Sequence, residues 1–232
     1  MMTQDVNIAG FLEMSPERQR AFLAGDAACA AVVVEALARA GSTAAQLRWA
    51  AMLLEGTGVA KDEEAAWRWF MVAARDGDAQ AMNMVGRCYE NGFGVTADFA
   101  RAAVWYERAA RAGDAWAQYN LGHLLLDGNG VARDHEAAFA WYCRAAAQDH
   151  PRAMNLVGRC FEEGWGTKRD AARAEAAYAR SARAGYYRGQ FNYASVLAAR
   201  GEEVEARAWL EKALQIAPVA AHEKIMSFAE KL

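Results

Sequence analysis

Only 3 of the 232 residues are proline, and no stretch rich in Gly, Ser or Pro sets one part of the chain apart from another. The usual marks of a linker are thus missing, and one continuous folded domain over residues 1–232 is expected. Long apolar runs are missing as well. The longest, AACAAVVV at Ala27 to Val34, falls well short of the roughly 20 residues that cross a bilayer, so no membrane span is expected. Nor is there an excess of positive charge: at a net charge of −3 and a pI near 5.9, nothing draws the chain to a phosphate backbone, and nucleic acid is not expected as a partner. The N-terminal MMTQDVNIAGFLEMSPERQR has no basic region and carries acids within its first apolar stretch, unlike a secretion leader, which makes the cytoplasm the expected location.

Metal-ligand and disulfide patterns are equally scarce. Cys29, Cys88, Cys143 and Cys160 show no CxxC spacing and read as small apolar side chains. His123, His135, His150 and His222 form no HxxxH pair, so neither a metal nor any other cofactor is expected. The glycine-rich EGTGVAKD has no strand before it and reads as a helix cap, not a phosphate cradle. No serine has a nucleophile-elbow context and no two facing carboxylates can be located, which points away from an enzyme.

What the chain does have is a period. Gly-x-Gly recurs at Gly56/Gly58, Gly92/Gly94, Gly128/Gly130 and Gly164/Gly166, each step being 36 residues. The same step relates Asp62, Asp98, Asp134 and Asp170, and also Trp69/Phe70, Trp105/Tyr106, Trp141/Tyr142 and Ala177/Tyr178. Such a fixed period marks a stacked repeat array, whose units bury their apolar faces only against neighbours. The copies are close: AMNMVGRCYENGFG from Ala81 and AMNLVGRCFEEGWG from Ala153 agree at ten of fourteen positions.

Within a unit, Ala81, Met84, Val85, Cys88 and Tyr89 fall at helical spacing, and so do Ala102, Ala103, Trp105, Tyr106, Ala109 and Ala110 after the glycines. Each unit therefore reads as two amphipathic helices. Gly-x-Gly ends the first through a left-handed cap, and the aspartate column caps the free N–H groups of the second. Gly86, Gly122 and Gly158 lie inside first helices, where glycine costs about 1 kcal/mol against alanine, so a neighbouring helix should approach closely there. Trp105 and Trp141 are expected to fill the space alongside.

The motif AMNMVGRCYENGFGVTADFARAAVWYERAA resembles the Sel1-like repeat, a relative of the tetratricopeptide repeat. The resemblance implies an all-α fold, a right-handed α-α superhelix or solenoid of helical hairpins. Its units would be 42–77, 78–113, 114–149 and 150–185, then a shortened, tetratricopeptide-like repeat at 186–217 with Gly201 alone and Trp209 four residues early. Caps are expected at both ends. The N-terminal one, 1–41, carries Ser15 as N-cap, Pro16 and Glu17 in a first turn, and a helix from Asp26; the C-terminal one, 218–232, is a helix with Val219, His222, Ile225, Met226 and Ala229 as its apolar stripe.

The resemblance further implies that first helices line the concave side of the superhelix. Next to the inward stripe, Gln80, Asn83, Arg87 and Glu90 share a face, with Trp116, Tyr119, His123 and Leu126, then Arg152, Asn155, Arg159 and Glu162, then Arg188 and Phe191 in the following units. An asparagine offers donor and acceptor to a peptide backbone, an arginine one turn on can clamp a carboxylate, and aromatics with arginine carry interface energy. A non-enzymatic adaptor or scaffold that grips an acidic or carboxylate-bearing segment of another protein is therefore expected, with an accessory subunit attached through its convex face or ends as the alternative. A monomer is the favoured state.

Overall fold

The computed structural model describes residues 8–232, and the first seven residues of the N-terminal segment discussed above lie outside them. Among the described residues all regular structure is α-helical, and no helix is long and apolar enough to cross a membrane. The chain divides into two compact units, parted between Ala112 and Gly113, the junction of the second and third repeats. The even composition of the chain gives no sign of this division.

The first unit holds α1 (Ile8–Leu12), α2 (Pro16–Ala24), α3 (Ala27–Arg39) and two repeats, α4 (Thr43–Glu55) with α5 (Glu63–Arg75) and α6 (Ala79–Asn91) with α7 (Phe99–Arg111). In the second unit α8 (Ala115–Asp127) pairs with α9 (His135–Ala147), α10 (Pro151–Glu163) with α11 (Ala171–Arg183) and α12 (Tyr187–Ala199) with α13 (Glu203–Ile216), followed by α14 (Val219–Ala229). Within each unit every helix from α2 onward packs on its neighbours in sequence, the arrangement of a hairpin stack, while α1 packs on α3.

Local chemistry sets the ends. Asp62, Asp98, Asp134 and Asp170 accept the N–H of the third residue on, at Ala65, Arg101, Ala137 and Arg173. Gly56, Gly92, Gly128 and Gly164 close the first helices with φ of 75 to 78°, a left-handed cap open to glycine without penalty. Ser15 and Asp26 cap α2 and α3 as the sequence suggests.

The helix-interior glycines do meet a close neighbour, but it is a tyrosine and not the tryptophan beside it. A Cβ on Gly86, Gly122 or Gly158 would lie 2.6, 2.5 or 2.5 Å from the ring of Tyr106, Tyr142 or Tyr178. Those three rings are 0, 0 and 1% exposed. Trp105 and Trp141 instead lie half-buried at the surface, covered by the guanidinium groups of Arg108 and Arg144 at 4.9 and 4.4 Å. One residue turns a helix by about 100°, enough to carry the tryptophan out of the hairpin.

The last helix also differs in rotation. Ile225 is 2% exposed, with Ala221, Phe228 and Ala229 packed beside it on the α12–α13 core, whereas Val219 and Met226 face outward at 84 and 48% exposure. Phe228, which meets Phe191 edge-on at 5.5 Å, decides the rotation.

Candidate functional site

Four helices of the second unit, α8, α10, α12 and α14, surround a cavity of about 550 Å³. First helices supply three of its walls at spacings of three and four: Tyr119 and His123 from α8, Arg152, Asn155, Arg159 and Glu162 from α10, and Arg188 and Phe191 from α12. The fourth wall is the terminal helix, which brings Lys224. The structure thus gathers eight of the sequence-predicted residues into one cavity, and the helix expected only to cover the stack lines it too.

Charge is unevenly spread there. Arg152, Arg159, Arg188 and Lys224 supply four cations, and among the described residues none of them has an acidic partner within salt-bridge distance. They rest on aromatic faces: Arg152 over Trp116 at 5.1 Å, Arg159 over Trp165 at 4.6 Å, Lys224 over Phe191 at 5.0 Å. Arg188 donates from Nε to the Tyr187 hydroxyl at 2.9 Å, which helps hold its pKa above the usual value. Such contacts orient a guanidinium without neutralising it. Among the described residues the one acid of the lining, Glu162, already accepts the Tyr178 hydroxyl at 2.5 Å.

The asparagines depart from expectation. Asn83 and Asn155 are 5 and 4% exposed, so neither is freely displayed. Asn155 accepts through Oδ1 from Nδ2 of Asn192 at 2.8 Å, because the first helix of the next repeat covers that side of α10. It lines the cavity floor as one half of an amide pair between repeats. Glu90, expected on a displayed stripe, accepts the Tyr106 hydroxyl at 2.5 Å and belongs to the hairpin, like Glu162.

Gln80, Arg87, Trp116 and Leu126 are outside the lining. Gln80 and Arg87 are exposed on α6 in the first unit, with Arg87 donating weakly to the Met84 sulfur at 3.5 Å. Trp116 is 46% exposed and Tyr119 half-buried; their rings meet edge-on at 6.1 Å, and Trp116 stacks edge-on with His150 at 4.4 Å. Leu126 packs beside the α9–α10 core. Sequence reasoning missed Tyr186, Tyr187, Asn192 and Lys224, all in the lining. One signal was available for Tyr186: it falls where Asp78 and Asp114 cap the corresponding helices and makes no side-chain cap.

His150 occupies that same capping position on α10. Its Nδ1 accepts the Ala153 N–H at 3.2 Å, while its Nε2 is buried without a partner among the described residues. Burial, aided by the Arg152 charge, holds its pKa down to about 4, so the ring is neutral near pH 7. The thiols are not activated: all four cysteines are free, and burial pushes Cys88 and Cys160 up to about 12.

Comparison with known proteins agrees with this architecture. The Sel1 repeat family model matches five times, at residues 43–78, 79–114, 117–150, 151–186 and 188–215. A Sel1 repeat protein from Oxalobacter formigenes superposes with a TM-score of 0.82 at 25% identity, over 97% of this chain and 99% of that one. The c5321 protein, a protective antigen present in uropathogenic Escherichia coli strains and displaying an SLR fold, gives 0.78 at 24% identity over 97% of this chain, which spans only 48% of that protein. YrrB, a TPR protein with an unusual peptide-binding site, gives 0.50 at 20% identity over 87% of this chain and 100% of its own. No curated protein matches the chain.

Proposed function

Because the chain belongs to the Sel1 repeat family, whose members generally serve as protein-interaction scaffolds, we propose that it is a non-enzymatic adaptor whose second unit grips an acidic or carboxylate-bearing segment of another protein. The observation that carries this reading is the lining of the α8–α10–α12–α14 cavity. Among the described residues its four cations lack acidic partners within salt-bridge distance, while the carboxylate in the lining, Glu162, is engaged by a tyrosine. A guanidinium binds a carboxylate through two parallel hydrogen bonds, and Tyr119, Tyr186 and Phe191 offer the aromatic area on which interfaces depend. The Asn155–Asn192 amide pair keeps further donor capacity for a peptide backbone. The reading takes the cytoplasm as the working compartment, in keeping with four free thiols.

The test is fluorescence anisotropy with labelled peptides: one acidic with a free C-terminus, one basic of equal length. Saturable binding of the acidic peptide alone is expected, weakening as salt rises. Exchanging Arg159→Glu together with Arg188→Glu should weaken it by about tenfold or more with helicity retained, and Arg87→Glu, in the first unit, should leave it unchanged. Equal binding of both peptides, or a double variant as strong as the parent, would remove the reading.

A further inference from the structure

The loop joining the two helices of a repeat is anchored on the repeat before it. At Gly58, Gly94 and Gly166, the second glycine of Gly-x-Gly, a Cβ would overlap the backbone carbonyls of Ala27, Glu63 and His135. Glu63 and His135 are the first residues of the preceding second helices, α5 and α9, and Ala27 is the first residue of α3, the cap helix that precedes the first repeat. The φ of 71, 67 and 66° adds a second demand for glycine. The loop is therefore seated backbone to backbone, followed in each case by a half-buried Val59, Val95 or Thr167.

Another 36 residues beyond His135 is Ala171, the first residue of α11. Its loop should come from the fifth repeat, but α12 and α13 are joined by residues 200–202 alone, where α10 and α11 are joined by 164–170. The fifth family match is correspondingly short, 188–215. Over Ala171 there is instead a cavity of about 650 Å³, with Phe161, Ala174, Tyr178, Val196 and Ala199 in its lining. Arg200 stands at its edge, paired with Glu175 at 2.6 Å and Glu202 at 2.7 Å. Unlike the cation-rich cavity, this one has an apolar floor and a rim of both signs.

We propose that this uncovered loop seat is a second docking site, which takes a glycine-bearing turn of a partner polypeptide of the Gly-x-Gly-Val or Gly-x-Gly-Thr type. The chain itself shows what fits: three sister seats are filled by such turns, with glycine where backbone meets backbone and a β-branched side chain after it. A residue with a Cβ at the second glycine position is rejected by the Ala171 carbonyl, as it would be at Glu63 or His135. This reading stands apart from the anionic-peptide site and does not depend on it.

The probe is the chain's own loop as a blocked peptide, residues 91–98 (NGFGVTAD), titrated into ¹⁵N-labelled full-length protein. Amide shifts are expected within 171–175 and 196–200, and a peptide carrying Gly94→Val should bind about tenfold more weakly. Replacing residues 200–202 by GWGTKRD, the sequence of 164–170, should cover the seat in cis, abolish the peptide shifts and raise the melting midpoint by about 2–4 °C. Absence of shifts at millimolar peptide, shifts at other residues, or equal binding of the valine peptide would overturn the proposal. So would a dimer of the parent protein that the graft disperses, since the seat would then belong to a second copy.

Discussion

Tyr106, Tyr142 and Tyr178 hold the same position in three consecutive repeats, yet their hydroxyls meet different fates. Tyr106 and Tyr178 donate to Glu90 and Glu162, while Tyr142 is buried without a partner among the described residues, because the matching position is Leu126. A buried hydroxyl left unpaired costs about 1–3 kcal/mol, and a satisfied one contributes about 1 kcal/mol. Tyr106→Phe and Tyr178→Phe should therefore each destabilise by about 1 kcal/mol in urea titrations, and Tyr142→Phe should be neutral or stabilising. A uniform loss across all three would contradict this account. His150 makes a pH-dependent contribution. Its folded pKa, about 4, lies below the 6.5 of a free imidazole, so the unfolded chain binds a proton first as pH falls. The stability that the neutral cap provides is complete above about pH 6.5 and is lost progressively towards pH 4. His150→Asn, which keeps a capping acceptor that does not titrate, should flatten the change in urea midpoint between pH 7 and pH 5.

Helix interiors set propensity against packing. Alanine is preferred to glycine in a helix by about 1 kcal/mol, but at Gly158 its methyl would enter the buried Tyr178 ring, and overpacking of this kind costs about 1–3 kcal/mol. Gly158→Ala should thus lower the melting midpoint despite its better propensity, whereas the same change at an exposed helical site would raise it. The caps at the inner ends of each pair were legible in the sequence because a cap is decided within a few residues: the first-glycine column predicts where the first helix stops and the aspartate column where the second starts. The Gly86–Tyr106 approach was legible as a need for closeness but not in its partner, since adjacent Trp105 and Tyr106 differ only by one helical step. The rotation of α14 was hidden because Phe228, which fixes it, answers to Phe191 on a different helix. The seating of Gly94 on Glu63 was hidden for the same reason, as nothing near Gly94 names the carbonyl it meets.

Over the whole molecule, stability is distributed. Each hairpin rests on its neighbours within its unit, so the free energy approximates a sum of units and interfaces. The fragment 113–232, which retains α8 to α14 and both cavities, is expected to keep its helical circular dichroism and, on the reading above, its affinity for acidic peptide. Loss of either on cutting at this junction would mean that the second unit depends on the first. The candidate site was legible in residue type and helical spacing, which placed Tyr119, His123, Arg152, Arg159 and Arg188 correctly on first helices. Lys224 and the Asn155–Asn192 pair were not, because they arise where separate repeats, or a repeat and the terminal helix, come together.

The seating of each second glycine also restricts how such a chain can change length. An extra residue between Gly92 and Asp98 would lift Gly94 off its carbonyl while leaving both helices intact, so the damage would appear at the interface and not in the segment that carries it. Insertions and deletions should be tolerated in the turns between repeats, or as whole periods, and be selected against inside the loop. A change by whole 36-residue periods would keep each such carbonyl covered, whereas a loop as short as 200–202 cannot reach the one on the module before it.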